Sequence, residues 1–268
     1  MKTLAAVGSG VAVAFVMSLA VPAGAASDDQ ARLDAAMEAF NERMTEVGWE
    51  SQGPSDGTLG NDDDDESSDE PSEGDEMMAE CFGDLPAVFE DLEGSEEFPG
   101  QTATSSSDEF TFPAPTTDTA TTDSMFSIPD EEELMAMALS VDEAHVDLVG
   151  DFVDALGAKE TSECMKEAME ADLTVDGETT DPLEALFEFE VDVTTLGDLG
   201  VGEDSAQMAF AMSVNMFGQQ IDFVGTMVFA GVGNDLIGLI HYTTGTAEPR
   251  SGLDPVAELQ AIVDSISS

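Results

Sequence analysis

The chain has 268 residues, with 59 acidic residues against six basic ones and a formal net charge of −53 at pH 7. A field of this sign repels the phosphates of nucleic acids and anionic membrane surfaces, so we exclude nucleic acid as a partner. Only 12 of the acids fall in residues 50–76, so the acidity belongs to the whole chain. Saline surroundings, where salt screens self-repulsion, explain such acidity better than a dedicated cationic partner.

Residues 1–25 have the parts of an export signal. Lys2 supplies the positive charge, Leu4 to Leu19 is apolar apart from small residues, and Ala23-Gly24-Ala25 has the small-x-small form that signal peptidase accepts. A membrane anchor is the alternative, but the run is short for a span and Asp28 and Asp29 follow directly. We therefore expect a secreted or extracytoplasmic protein that is not lipid-anchored and has no stable membrane insertion after signal cleavage.

Residues 26–49 are predicted to form an amphipathic helix, because apolar residues recur at spacings of three and four. Residues 50–76 contain no basic residue and are predicted to be a disordered acidic linker. The acids at 62–66 lack the spaced ligands and central glycine of an EF-hand loop, so no metal site is expected there. Across such a linker, the helix could dock on the main domain or on another molecule. The apolar residues of the helix are Leu33, Met37, Phe40, Met44 and Val47.

Residues 77–268 are predicted to form one domain, with a Ser/Thr/Asp/Pro-rich loop at 101–124 in which 109–112 is strand-like. Alternation over Leu134 to Val141 suits a strand, although the acids just before it would equally suit a helix start. Ser140 and Glu143 form a capping-box signature for the next helix, which Gly157 would end. A second, shorter helix would carry Cys164.

The C-terminal third carries the clearest pattern. Apolar and polar residues alternate in segments joined by turns, and a helix with Asp254 as cap and Pro255 at its first position closes the chain. The alternating segments are 187–193, 208–216, 221–230 and 235–242. We predict an α+β fold, in which an antiparallel sheet forms a meander in this third and helices pack on one face.

Chemistry-bearing residues are few. Cys81 and Cys164 are the two cysteines of an exported chain, which favours one disulfide between them. His145 and His241 are the only histidines and stand in no catalytic or metal-binding motif. We expect His145 at or near the surface, and His241 either facing solvent or in contact with a partner strand. We predict no catalytic residue, metal or cofactor, and hence no enzyme.

One set of apolar residues suggests a binding site. Methionine makes adaptable apolar surfaces, so a Met-lined pocket for a lipid or other small apolar molecule is one interpretation. The other is a core that uses methionine where most proteins use leucine. The residues of this predicted site are Met208, Phe210, Met212, Met216, Phe223 and Met227.

The layout resembles a known group of proteins. The order runs from Cys81-Phe82-Gly83-Asp84-Leu85-Pro86 through Ser107-Asp108-Glu109-Phe110 to the Leu134–Val141 segment and Asp142-Glu143-Ala144, then Cys164, a meander and a closing helix. This order is similar to that of small exported actinobacterial proteins, which are in turn similar to the extracellular sensor domains of PknH-type receptor kinases. The resemblance implies a ligand-binding or sensing domain without catalytic machinery.

Three function classes follow. The first is an exported, non-catalytic ligand-binding or sensor-like domain, which requires a concave apolar site between sheet and helices. The alternative is a structural or interaction protein of the cell envelope that binds a partner through the N-terminal helix, which requires an exposed apolar stripe on that helix. The third is a hydrolase with two carboxylates facing one another in a cleft.

Overall fold

The computed structural model of the chain describes residues 28–54, 81, 98–113, 131–173, 187–216, 219–245 and 249–267. In these ranges, eight strands form one antiparallel sheet and four helices pack against it, which confirms the α+β class. The helices are α1 (Asp28–Glu46), α2 (Val146–Gly157), α3 (Lys159–Leu173) and α4 (Pro255–Ile266). The strands are β1 (Glu50–Pro54), β2 (Gln101–Ser106), β3 (Asp108–Thr111), β4 (Glu132–Val141), β5 (Phe187–Gly197), β6 (Asp204–Met216), β7 (Gln219–Val232) and β8 (Asp235–Gly245).

The sheet runs in the order β1-β3-β4-β8-β7-β6-β5, with β2 also paired to β4. Strands β5 to β8 are the predicted meander, paired in register from Phe187 opposite Met216 to Val232 opposite Asp235. Strand β4 lies inside the sheet between β8 on one side and β2 and β3 on the other. A helix starting at 131–133 is therefore wrong, and the strand prediction for this segment is right.

Helices cover both faces of the sheet, whereas we expected them on one face. Helices α2 and α3 pack on β5 and β6, while α1 and α4 pack on the opposite face over β2, β7 and β8. The reason lies in the central strands, which are apolar on both faces: in β4, Leu134 and Ala136 point into one core and Met135 and Leu139 into the other. A strand of this kind leaves no solvated side, so each face needs its own helical layer.

The apolar side of α1 is buried in the core that α1 shares with α4 and the sheet; only Val47 of the predicted set is exposed, at 60%. Arg32 anchors the helix, because its two terminal nitrogens lie 2.5 and 2.9 Å from the carboxylate oxygens of buried Asp235. Arg43 adds a 2.8 Å contact to Glu258 on α4. The exposed stripe required by the envelope-interaction alternative is therefore absent from the described part of α1.

Two polar segments form strands that we did not predict. Residues 50–54, expected at the start of the linker, form β1 and pair with β3. Residues 101–106, expected as loop, form β2 and pair with β4, whereas β3 coincides with the strand-like residues 109–112 and pairs with β1 and β4. The exposed positions of β1 and β2 carry mostly polar side chains, so no apolar alternation marks these two strands, and pairing with a neighbouring strand decides their conformation. Residues 1–27, 55–76 and 114–124 lie outside the described residues.

The helix ends differ in part from prediction. Asp254 caps α4 as expected, accepting hydrogen bonds from the backbone N–H of Val256 and Ala257. Helix α2 ends at Gly157 as expected but begins at Val146, because Ser140 belongs to β4 and donates its hydroxyl to Asp235, so the predicted capping box is wrong. The helix carrying Cys164 is α3, which has 15 residues and is longer than α2.

Cys81 and Cys164 form the predicted disulfide, with an S–S distance of 2.10 Å. The bond fastens residue 81 to α3 beside the core under α2 and α3. A disulfide is typical of proteins that mature outside the reducing cytosol. None of the helices in the described ranges is long and apolar enough to cross a membrane.

Candidate functional site

The predicted site residues meet on the sheet face that carries α2 and α3. In the register of β6 and β7, Met208 lies opposite Met227 and Met212 lies opposite Phe223. Phe210 lies between the two β6 methionines on the same face, because side chains two residues apart in a strand share a face. The side chain of Met216 lies outside the described part of the structure. Five of the six predicted side chains are thus neighbours.

Burial divides these five side chains into two groups. Met208, Met212 and Met227 are at most 4% exposed and belong to the hydrophobic core. Phe210 and Phe223 are only partly buried and pack against the margin of that core. The three methionines therefore serve as packing residues, as the core interpretation expects, while the two aromatic rings keep part of their surface exposed.

A continuous row of side chains crosses four strands at this margin. Glu133 on β4 pairs with Tyr242 on β8, Tyr242 pairs with Gly225 on β7, and Gly225 pairs with Phe210 on β6. At Gly225 a Cβ atom would lie 1.9 Å from Cζ of Phe210, so the ring fills the space that the glycine leaves. We call Glu133, Tyr242, Phe210 and the adjacent Phe223 the aromatic row. Tyr242 is the only tyrosine of the chain and is partly buried.

A carboxyl pair closes the β4 end of the aromatic row. Thr111 on β3 lies opposite Glu133, and Glu109, two residues before Thr111, projects on the same sheet face, where its negative charge acts on Glu133. Burial, and after it the negative charges of the neighbouring Glu109 and Glu131, together raise the pKa of Glu133 to about 8. At neutral pH the Glu133 carboxyl therefore holds a proton.

Sequence reasoning missed Glu133 and Tyr242 as site residues. One signal was present in the sequence. Glu133 stands in the same alternating phase as Met135 and Met137, so its side chain shares their face of β4. The partnership with Tyr242 depends on the β4–β8 register, which no local pattern reveals. Glu109 and Glu133 also project from neighbouring strands on one face of the sheet, whereas the two carboxyls of a glycosidase flank the bond that they cleave. The pair therefore suits binding or proton exchange better than hydrolysis across a cleft.

A second polar cluster lies on the opposite face of β4. Glu132 is fully buried and lies 2.9 Å from Nε2 of His241, its neighbour on β8. Its carboxylate also accepts the backbone N–H groups of Arg250, at 2.8 Å, and Ser251, at 3.0 Å, and the hydroxyl of Ser251. His241 is 4% exposed, so a solvent-facing position is wrong and the partner-strand contact is right.

This Glu–His–Ser cluster is arranged for anchoring. Ser251 and His241 both bond to the same carboxylate, so the imidazole is not placed to take the hydroxyl proton as a serine nucleophile requires. The carboxylate holds the segment that leads into α4, and the rings of Trp49 and His241 pack in a T-shaped arrangement with their centres 6.1 Å apart. His145, by contrast, is near the surface as predicted, 2.7 Å from the Asp142 carboxylate.

No group of three or more His, Cys, Asp or Glu side chains within the described ranges is arranged to hold a metal ion. No protein-family model, curated protein or solved structure matches the chain. Function is therefore inferred from the site geometry, and the resemblance to kinase sensor domains stays a prediction.

Proposed function

We propose that the chain is an exported, non-catalytic binding or sensor-like domain that takes a small apolar molecule on the aromatic row. One observation carries the proposal: Phe210 and Tyr242 flank Gly225, Phe223 lies two residues from Gly225 on the same face, and all three rings are partly exposed although Met208, Met212 and Met227 beside them are buried. Single exposed apolar residues are ordinary on a protein surface, but contiguous aromatic side chains mark a contact surface.

The position of the row supports binding over packing alone. Its side chains project from hydrogen-bonded strands, so a ligand would meet a surface that is already ordered. Aromatic rings supply large contact areas at little cost in side-chain entropy. Helix α2 packs chiefly on β5 and β6 and only slightly on β8. The described helices therefore cover the Tyr242 end of the row less than its Phe210 end.

Export is proposed from the signal sequence at residues 1–25, and the disulfide is consistent with it. The layout resemblance to exported sensor-like proteins favours recognition of a molecule outside the cell. A binding domain of this kind needs no catalytic group, and the Glu132–His241–Ser251 cluster is accounted for by its anchoring of α4.

The test uses the single tyrosine. Incorporation of 3-fluorotyrosine gives one fluorine resonance at Tyr242, and 5-fluorotryptophan gives one at Trp49, which packs in the core under α1 and α4. Medium-chain alcohols are titrated into each labelled protein. We expect a saturable shift of the Tyr242 resonance and none of the Trp49 resonance. Equal shifts at both positions, or none at either, would contradict the proposal.

Native mass spectrometry of the protein from its secreted fraction supplies an independent check. A small molecule that travels with the folded chain and is lost on denaturation would give the chemical class of the natural ligand. The labelled Tyr242 then shows whether that molecule binds at the aromatic row or elsewhere.

A further inference from the structure

We propose that the ligand of the aromatic row is a cationic amphiphile, whose charged group is bound by Glu133 and Glu109 and whose apolar part lies on Tyr242 and Phe210. The inference rests on the proposed function and adds the charge of the ligand to it. It follows from which groups surround the carboxyl pair and from where that pair lies on the sheet.

The charged groups that act on Glu133 are all acidic. Glu109 reaches it from β3 and Glu131 from the residue before β4, while β8 contributes the uncharged hydroxyl of Tyr242. Four of the five basic side chains in the described ranges are paired elsewhere: Arg32 with Asp29 and Asp235, Arg43 with Glu258, Lys159 with Glu163, and Lys166 with Glu170. The fifth, Arg250, belongs to the segment that Glu132 holds on the opposite face of β4, and its charge does not act on Glu133. The negative charge at the end of the row is thus left for a ligand to balance.

The aromatic neighbours make this charge selective for an organic cation. Tyr242 lies directly opposite Glu133 in the β4–β8 register, and side chains so placed have Cβ atoms about 4.5–5.5 Å apart. A carboxylate beside an aromatic ring is the combination that recognises alkylammonium groups, because the ring face attracts the cation while its alkyl groups avoid water. An anionic amphiphile would be repelled, and a neutral one would leave the carboxylate unbalanced.

Binding at this pair is coupled to a proton. The raised pKa of Glu133, about 8, means that its carboxyl holds a proton at pH 7. A bound cation stabilises the ionised form, so the proton passes to solvent as the cation enters. Affinity for a permanent cation should therefore rise by up to tenfold per pH unit below about pH 8 and level off above it.

The experiment compares three ligands of equal chain length on the 3-fluorotyrosine protein: decyltrimethylammonium, decanol and decanoate, each below the concentration at which it forms micelles. About 1 M NaCl in all titrations screens the diffuse attraction of so acidic a chain for any cation. We expect decyltrimethylammonium to bind at least tenfold more tightly than decanol, and decanoate to bind most weakly.

Glu133→Gln and Glu190→Gln form a matched pair of variants. Glu190 is an exposed acid on β5, so its replacement changes the overall charge without touching the row. Glutamine copies the shape of the protonated Glu133 carboxyl, which favours a folded variant, and Glu109→Gln tests the same pair from β3. We expect Glu133→Gln to remove the preference for the ammonium ligand and its pH dependence, and Glu190→Gln to leave both unchanged.

The outcomes separate the two proposals. If none of the three compounds shifts the Tyr242 resonance, the proposed function fails and the inference fails with it. If decanol binds as tightly as the ammonium ion, the proposed function stands and the inference is overturned. Equal weakening by Glu133→Gln and Glu190→Gln would show that diffuse charge, and not the carboxyl pair, attracts the cation, which also overturns it.

Discussion

Replacement of Glu132 by alanine should be one of the most damaging single changes in the described part of the chain. Its fully buried carboxylate accepts hydrogen bonds from His241, from the backbone of Arg250 and from both the backbone and the hydroxyl of Ser251. Each buried donor left without an acceptor costs roughly 1–3 kcal/mol, and these costs are not additive. Removal of one partner from a buried ion pair typically costs about 3–5 kcal/mol. We expect a loss of this size, because the substitution leaves several buried donors without an acceptor.

The assay is denaturant unfolding followed by tryptophan fluorescence. Trp49 is the only tryptophan, and its ring centre lies 6.1 Å from that of His241, so it reports on the region that the substitution disturbs. Glu131→Ala is the matched control, because Glu131 is an exposed acid one residue away. Its free energy of unfolding should stay within about 0.5 kcal/mol of the parent.

The dependence on pH has a definite sign. Burial acts to raise the pKa of Glu132, but the hydrogen bonds from Ser251, from His241 and from the backbone outweigh burial and hold that pKa below its ordinary value of 4.5. The stabilisation is therefore fully present above pH 4.5 and is lost as the pH falls through the pKa of the folded state. On acidification the free energy of unfolding of the parent should therefore fall. That of Glu132→Ala should fall less, because this variant lacks the Glu132 hydrogen bonds at every pH. A loss under about 1 kcal/mol for Glu132→Ala at pH 7 would refute this account.

Three further predictions concern other parts of the fold. Arg32→Ala should lower the free energy of unfolding by about 2–3 kcal/mol, between the values for exposed and buried ion pairs, because Asp235 stays buried without its charged partner. Arg32→Lys keeps the charge but loses the two parallel hydrogen bonds of the guanidinium, so it should recover part of the lost stability. Chemical denaturation of the two variants and the parent measures both effects. Gly225→Ala should cost roughly 1–3 kcal/mol because the new Cβ meets the Phe210 ring, and a smaller loss in a Phe210→Ala background would confirm that cause. The melting temperature should rise with NaCl concentration because the net charge of −53 repels itself, and a flat profile would contradict the inference of saline surroundings.

Much of the sheet was predictable because its meander strands alternate strongly. Alternation along β6 predicts buried side chains at Met208, Phe210, Met212 and Val214. All of these are buried except Phe210, which is partly buried. Strands β1 and β2 were not predictable in the same way, although the strand-like pattern of 109–112 did mark β3. Most side chains of β1 and β2 are polar, and what makes them strands is pairing with β3 and β4, a contact between segments far apart in the sequence.

The candidate site was predictable only in its β6 and β7 half. Alternation places Phe210 and Phe223 on one face, because only two residues separate β6 from β7, which leaves little choice of register between the two strands. Tyr242 and Glu133 join them only through the β4–β8 pairing, which links residues more than 100 positions apart. The covering of both faces was likewise hidden, since it depends on α1 docking against β2 and β4 from the other end of the chain.

Glu132 and Glu133 show how position in a strand, and not composition, separates a structural acid from a candidate ligand-binding acid. They are adjacent in β4 and so project to opposite faces. On one face, Glu132 meets four donors, which lower its pKa and satisfy its charge inside the fold. On the other, Glu133 lies between Thr111 and Tyr242, and burial together with the neighbouring acids raises its pKa, so that it holds a proton where no cation is bound. Among 59 acidic residues, an acid in apolar surroundings that lacks a cation is the one for which a cationic ligand can compete with a proton.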